Sequence, residues 1–367
     1  MKPLIKNLLI ALMGMVIFAT PAVNVVAHAT GLSPVLSVVV ILAVSVVLYL
    51  LPSNKHTGVY TAGIQKEIWV NYIIERLWKD NQFLKYAWND DDKVLAGKVV
   101  HIPNPGARPT TSINRTVFPA TAVRRTDTDI VFSLDEFTTD PTHIENAEMV
   151  ETSYDKINSV IGDHIGYLTE DVADNMLLRW LDESVTAPQK VYTSGAAVAA
   201  SADEMDGAPT GTRLSTLAND IKRCQLQMNL QKIPRKNRFA LLEANMLDQV
   251  LGDLSQTQYR DFSSVVDPAN GILGRLYGFT ILDRSSTVVY NAANSLKAFG
   301  AAGVSTDNLA SILWQQDCVT RALGEVKMFS NVDRPEYYGD IYSALLRMGG
   351  RRRRGDDKGV IALIQHS

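Results

Sequence analysis

Residues able to do chemistry are sparse in this 367-residue chain, and the densest group is a glycine series. Gly271, Gly274 and Gly278 fall within "NGILGRLYGFTILDRSS" (270–286), close to Arg275 and Arg284. A phosphate cradle presents glycine amides after a strand and at the opening of a helix. This stretch is neither GxGxxG nor followed by Gly-Lys-Ser/Thr, and its glycines come before a β-rich run. The spacing therefore predicts structural glycines: turns, and sites where backbones meet closely.

The second concentration is "RRRR", Arg351, Arg352, Arg353 and Arg354, followed at once by Asp356 and Asp357. Placed in an expected hairpin turn, it has three open readings: neutralising phosphates, bridging to a neighbouring subunit, or a solvated turn partly balanced by its own aspartates. The six histidines (28, 56, 101, 143, 164 and 366) are scattered, with no HExxH, no paired Cys/His spacing and no GxSxG. Asp163 and His164 are adjacent on an expected helix and so point in different directions, as a solvated pair would. "NDDD" (89–92) lacks the ligand spacing of a calcium loop. Cys224 and Cys318 are the only cysteines and read as reduced, buried thiols. No catalytic residue, metal site or cofactor site is expected. An enzyme is the weak hypothesis.

Composition narrows the partners. A net charge of −3 gives no global pull toward nucleic acid or anionic membrane, so any such contact must be local. Residues 8–51 contain no Asp, Glu, Lys or Arg, and form two apolar runs, each near the ~20 residues that span a bilayer core. Lys2, Lys6 and Lys55 flank them, which places both ends on the cytoplasmic side of a membrane hairpin. A signal peptide ending at Ala27-His28-Ala29, or a segment that packs inside an assembly or is removed, are the competing readings.

Beyond Pro52 the chain reads as soluble. Residues 63–80 suit an amphipathic helix, with Ile64, Ile68, Tyr72 and Leu77 near helical spacing. Residues 93–105 and 127–139 read as two strands. The polar, proline-broken stretch between them suggests an extended β-arm, since compact domains rarely keep so long a loop without a use. Arg108, Arg115, Arg124 and Arg125 make that arm positive: either a solvated loop or a contact for an acidic neighbouring surface. Asp140 and Pro141 then open a helical pattern. Ile144, Ala147, Val150, Tyr154, Ile157, Ile161, Ile165, Leu168, Val172, Met176 and Trp180 follow at three- and four-residue steps, a rod of about 60 Å that Gly162 and Gly166 bend. Residues 186–213 read as a linker or surface loop. A second helix carries Leu214, Leu217, Ile221, Cys224 and Met228 on one face. Then come a strand at 238–242, a short helix from Asn245, a strand in "LYGFTILDRSS", a helix over "NLASILWQQDCVTRALG" and two paired C-terminal strands around the arginine run. The class is α+β.

This order resembles the major capsid proteins of tailed bacteriophages, of the Hong Kong ninety-seven coat type, from about residue 56 to the end. The matching stretches are "GKVVHIPNPG", which opens the arm, and "IVFSLDEFTTDPTHIENAEMVETSYDKINSVIGDHIGYLTEDVADNML", which leads from arm into spine. "NRFALLEANMLDQVLGDL" with "NGILGRLYGFTILDRSS" matches the apical region, and "YYGDIYSALLRMGG…GVIALIQ" the closing peripheral hairpin. The resemblance implies a hydrophobic N-terminal segment (1–52), an N-arm and helix (53–92), an extended β-hairpin arm (93–140) and a spine helix with peripheral domain (141–213). An apical domain (214–330) and C-terminal peripheral strands (331–367) complete it. It further implies self-assembly into hexamers and pentamers of an icosahedral virion shell around double-stranded DNA, met without sequence specificity. Portal and scaffolding proteins are implied partners, and the host inner membrane another through residues 8–51. Nothing in the sequence identifies the residues of a covalent crosslink. Two rivals stay open: an encapsulin-like compartment shell, and a membrane-anchored binding protein.

Overall fold

The computed structural model describes residues 57–95, 98–106, 109–120, 122–145, 156–183, 189–200 and 209–366. The chain divides into a unit of residues 1–65 and one of 66–367, and all the described strands belong to the second. Helix α1 (Thr57–Asp80) leads through a 3-10 turn into β1 (Trp88–Asn89) and β2 (Val94–Leu95), then β3 (Val99–Asn104). After a long excursion come β4 (Thr128–Ser133), β5 (Asp135–Thr138), β6 (Thr142–Glu145) and α2 (Lys156–Trp180). Next are β7 (Gln189–Tyr192), β8 (Ala197–Ala199), β9 (Thr212–Leu214) and α3 (Ala218–Leu230). They precede β10 (Arg238–Glu243), α4 (Ala244–Asp253) and α5 (Gln256–Ser263). The chain closes with β11 (Gly274–Leu276), β12 (Phe279–Arg284), β13 (Val288–Tyr290), β14 (Asn308–Gln315), β15 (Val319–Arg334), β16 (Gly339–Arg352) and β17 (Val360–Ile364).

Two sheets carry the body. The larger has the order β11-β12-β10-β14-β17-β7, with β13 also on β14. Its central strands are buried on both faces, and period-2 alternation deals their side chains to two cores. Phe239, Leu241, Ile312, Trp314, Val360 and Ala362 enter one core with α2, while Ala240, Leu242, Leu313, Ile361 and Leu363 enter the other with α3 and α4. The smaller sheet runs β1-β15-β16-β5, with β6 also on β16. Helix α2 packs on it through Ile161, Ile165, Leu168, Val172, Met176 and Trp180, all buried. Trp180 is the hub: its ring lies 5.5 Å from Trp314 and 6.0 Å from Phe83, and its Nε1 donates to the Thr320 carbonyl at 3.0 Å.

Several expectations fail, each for a physical reason. The helical pattern does not begin at Ile144: residues 142–145 are strand β6, and the described part of the helix runs from Lys156, residues 146–155 lying outside the described residues. Its 25 residues span about 37 Å at ~1.5 Å each. Ile144 is buried because β6 pairs with β16, not because it joins the stripe of α2. Gly162 and Gly166 lie within α2 without interrupting it. "NLASILWQQDCVTRALG" is β14, a turn and the start of β15 rather than a helix. With both faces buried, its run of apolar residues fits helix and strand templates equally. The two C-terminal strands do not pair: β16 lies in the smaller sheet and β17 beside β14 in the larger. The 186–213 stretch is not all loop, since β7 joins the larger sheet and Val191 is buried there. Leu77 of α1 is buried as expected, but Ile68 and Tyr72 are exposed, and Ile73 joins Leu77 on the buried face. The apolar pair 8–51 lies outside the described residues, as does Arg108. No helix among the described residues is long and apolar enough to cross a membrane.

Candidate functional site

Strands β3 and β4 pair in register from Val99↔Ser133 to Asn104↔Thr128 and form the root of an arm. Val100, Ile102 and Ile130 anchor that root against Leu134 and Ala322. Beyond Asn104 pairing stops, and every described position of 105–127 except the half-buried Gly106 is exposed. Asp127 latches its base: it accepts from the Gly106 amide at 2.8 Å and from Arg125 Nε at 2.6 Å. The Gly106 N–H first, and Arg125 with it, hold this carboxyl below its ordinary range. Gly106 itself is required, because a Cβ there would collide with the Thr126 carbonyl. Past the latch, Ile113 is 91% exposed, Val123 84% and Phe118 75%. Arg115 and Arg124 flank these apolar groups and are exposed, and no described carboxylate pairs with either. The ribbon thus presents apolar and cationic groups to solvent that nothing among the described residues covers.

A groove of about 630 Å³ lies between β5 and α2, lined by Phe137, Val160, Tyr167 and several acids. Asp135 fixes its wall, accepting from Arg179 at 2.7 and 2.9 Å and from Asn175 at 2.9 Å. Glu136 is held by Arg347 at 2.5 Å. Among the described residues, Asp140, Asp163 and Asp171 have no cation in the groove. Burial, then the nearby Asp174 and Glu170, push the Asp171 carboxyl upward. Tyr167 stands 70% exposed at the lip, and burial lowers the His164 ring. Asp163 and His164 thus belong to a groove wall rather than to an acid–base pair.

The arginine run is not a free basic patch. Arg351 donates to the Val131 carbonyl at 3.2 Å, at the root of the arm. Arg352 is buried, donates to the Asp182 carbonyl at 2.6 Å and lies 3.6 Å from Asp357. Arg353 sits 4.5 Å over the Trp88 ring and 3.5 Å from Asp90. Arg354 grips Asp356 with two bonds of 2.8 Å. Asp90 explains "NDDD": its fully buried carboxylate receives Lys93 Nζ at 2.6 Å and the Thr320 hydroxyl besides Arg353. Asp91 accepts the Leu323 amide at 2.7 Å. These acids tie the N-terminal segment to β15, and no group of His, Cys, Asp and Glu among the described residues has the arrangement to hold a metal.

Sequence reasoning passed over another basic stretch, "QKIPRKNR" (231–238). Lys232, Arg235 and Lys236 are exposed in the turn between α3 and β10, while Arg238 is buried against the Ile233 and Pro234 carbonyls at 2.7 and 2.9 Å. The signal, three cations around a proline, lies in plain view beside a strand whose apolar run draws the eye.

The glycine series is geometric. Gly271 (φ +66°) ends a 3-10 turn in the left-handed region. Tyr277 (φ +46°) and Gly278 (φ +82°) are the two central residues of a tight hairpin turn joining β11 and β12, as a type I′ turn requires. At Gly274 a Cβ would stand 2.5 Å from the Phe262 carbonyl oxygen. Arg284 does not face these glycines; it forms a mostly buried ion pair with Asp174 of α2. Cys224 and Cys318 are buried free thiols, and burial raises Cys318 to about 11.

No protein-family model and no curated protein matches this sequence. Solved structures do. The capsid of Ralstonia phage GP4 superposes with a TM-score of 0.54 at 12% identity, over 77% of this chain and 87% of that one. The head structure of Helicobacter pylori bacteriophage KHP40 gives 0.53 at 10%, over 79% and 91%. The capsid of the cyanophage P-SCSP1u gives 0.52 at 15%, over 76% and 86%. The chain has the phage-coat fold that the order of its elements resembles, with the arm, the long helix and the two sheets all present. At such identities the likeness is one of fold.

Proposed function

We propose that this chain is the coat subunit of a bacteriophage head, not an enzyme, and that it assembles through hexamers and pentamers into an icosahedral shell around double-stranded DNA. The observation that carries this reading is the arm: a ribbon with exposed apolar and cationic groups, rooted firmly in a body whose fold is that of phage capsids. In this reading the smaller sheet with α2 is the peripheral domain and the larger sheet with α3, α4 and α5 the apical one. Its place is the virion. The arm of one copy lies in the β5–α2 groove of the next: Arg115 and Arg124 meet Asp140, Asp163 and Asp171, and Phe118 packs toward Tyr167. Edge strand β5 offers backbone pairing as well. Contact between different patches on successive copies is head-to-tail, which closes into rings. Many modest contacts then act together. Portal and scaffolding proteins are further partners in this scheme, and residues 8–51 give a route to the inner membrane.

Expression of the full chain, followed by electron microscopy and sedimentation, tests the proposal. Closed shells or capsomers are expected. A persistent monomer defeats the coat reading, and shells that carry protein cargo without nucleic acid favour a compartment instead. Arg115→Glu with Arg124→Glu should abolish shells, and Asp163→Lys with Asp171→Lys should restore them in that background.

A further inference from the structure

We propose that the corner formed by turns 231–237 and 353–359 is the surface that contacts the phosphate backbone of the enclosed DNA, an inference that rests on the coat reading. Three observations converge on it. The two turns adjoin: the Gly359 amide donates to Gln231 Oε1 at 3.2 Å. A Cβ on Gly359 would lie 3.5 Å from Ile233, a second measure of how closely the turns approach.

Next, turn 231–237 holds three cations and no anion. Lys232, Arg235 and Lys236 are exposed, and no described carboxylate pairs with any of them. Lys358 reaches only Asp356, at 3.9 Å, and that carboxylate is already gripped twice by Arg354. Among the described residues many other cations are answered: Arg284 by Asp174, Lys297 by Asp307, Arg347 by Glu136 and Glu325. On a molecule of net charge −3, an unanswered cluster is a local feature that only an outside anion balances.

The third observation selects the class of anion. Protein interfaces are anchored by buried aromatic, arginine or apolar groups that fill pockets. Neither turn offers an aromatic or free apolar anchor: Ile233 is buried in its own core, Pro234 is the only other apolar side chain of 231–237, and 353–359 has none. Arg235, the one exposed arginine of the corner without a carboxylate, is equally a phosphate ligand. Neither turn contains an aromatic residue to stack on a base. Point charges on flexible stems suit phosphates, which need neutralisation and no sequence readout. Positive φ at Lys232 (+58°), Asn237 (+56°) and Asp357 (+51°) keeps both turns tight, so the stems fan outward from one small area.

The test compares the wild-type chain with Lys232→Ser/Arg235→Ser/Lys236→Ser and with Lys232→Arg/Lys236→Arg. Binding of each purified protein to a duplex of about 20 base pairs and arbitrary sequence is followed by fluorescence anisotropy from roughly 50 to 300 mM salt. The serine variant should bind at least roughly tenfold more weakly, with the slope of log Kd against log salt reduced by about 3, while the arginine variant keeps the wild-type slope. Shells of the serine variant should form normally and hold less nucleic acid, read as the ratio of nucleic-acid to protein ultraviolet absorbance. An unchanged slope overturns the inference. So does loss of shells with DNA binding intact, which would make the corner a subunit contact. If the wild type forms no shells at all, the coat reading fails instead, whatever the duplex measurement gives.

Discussion

The larger sheet and the arm are built from strands of similar length and composition, yet they behave oppositely. β10, β14 and β17 are buried on both faces, and their side chains are covered by other parts of the same chain. β3 and β4 bury one face at the root, and then the ribbon continues into water with Ile113, Phe118 and Val123 uncovered. The contrast separates two tasks. Apolar area buried inside the subunit stabilises the fold, whereas apolar area left on a tethered ribbon is stabilising only once another surface covers it. Stability and assembly should therefore respond to different mutations.

The sharpest way to break this separation is in the sheet. Trp314→Ala removes a ring that touches Trp180 and Phe239 and whose Nε1 donates to the Tyr86 carbonyl at 3.0 Å. Urea unfolding should show a loss of about 4 kcal/mol. Gly274→Ala forces a methyl group against the Phe262 carbonyl oxygen and should cost about 2 kcal/mol by the same measurement. Asp90→Ala leaves Lys93, Arg353 and Thr320 without their common acceptor. A loss of about 2 kcal/mol is expected, with Asp90→Asn intermediate. At the other extreme, Ile113→Ser with Phe118→Ser should move the unfolding free energy by no more than about 0.5 kcal/mol while abolishing closed shells under the electron microscope. A large stability loss in that last variant would show that the arm tip packs on its own subunit, and the comparison would collapse.

How far the residues alone lead differs between elements. The stripe Ile161 to Trp180 and the stripe Ile221, Cys224, Met228 were legible, because one buried face on a helix leaves a 3.6-residue period. The arm was legible from its length, prolines and polarity, with strands on either side. "NLASILWQ" was not, because burial on both faces erases the period that distinguishes strand from helix. Helix α1 kept its type and its Leu77, but its face is turned: Ile68 is as apolar as Ile73, and only packing in the tertiary fold selects between them.

The candidate site divides the same way. Sequence by itself determined that no HExxH, GxSxG or paired Cys/His spacing occurs, that glycines 271, 274 and 278 precede a strand, and that cations cluster near the C-terminus. Only the tertiary structure decided which cations are answered. Asp90 reaches Arg353 and Asp182 reaches Arg352 from distant parts of the chain, so "RRRR" is largely engaged in holding the subunit together, while Lys232, Arg235 and Lys236 remain open to solvent. The reason is the range of the forces: hydrophobic periodicity is local and is written along the chain, but whether a charge finds its partner depends on which distant segment the fold brings within a few ångströms.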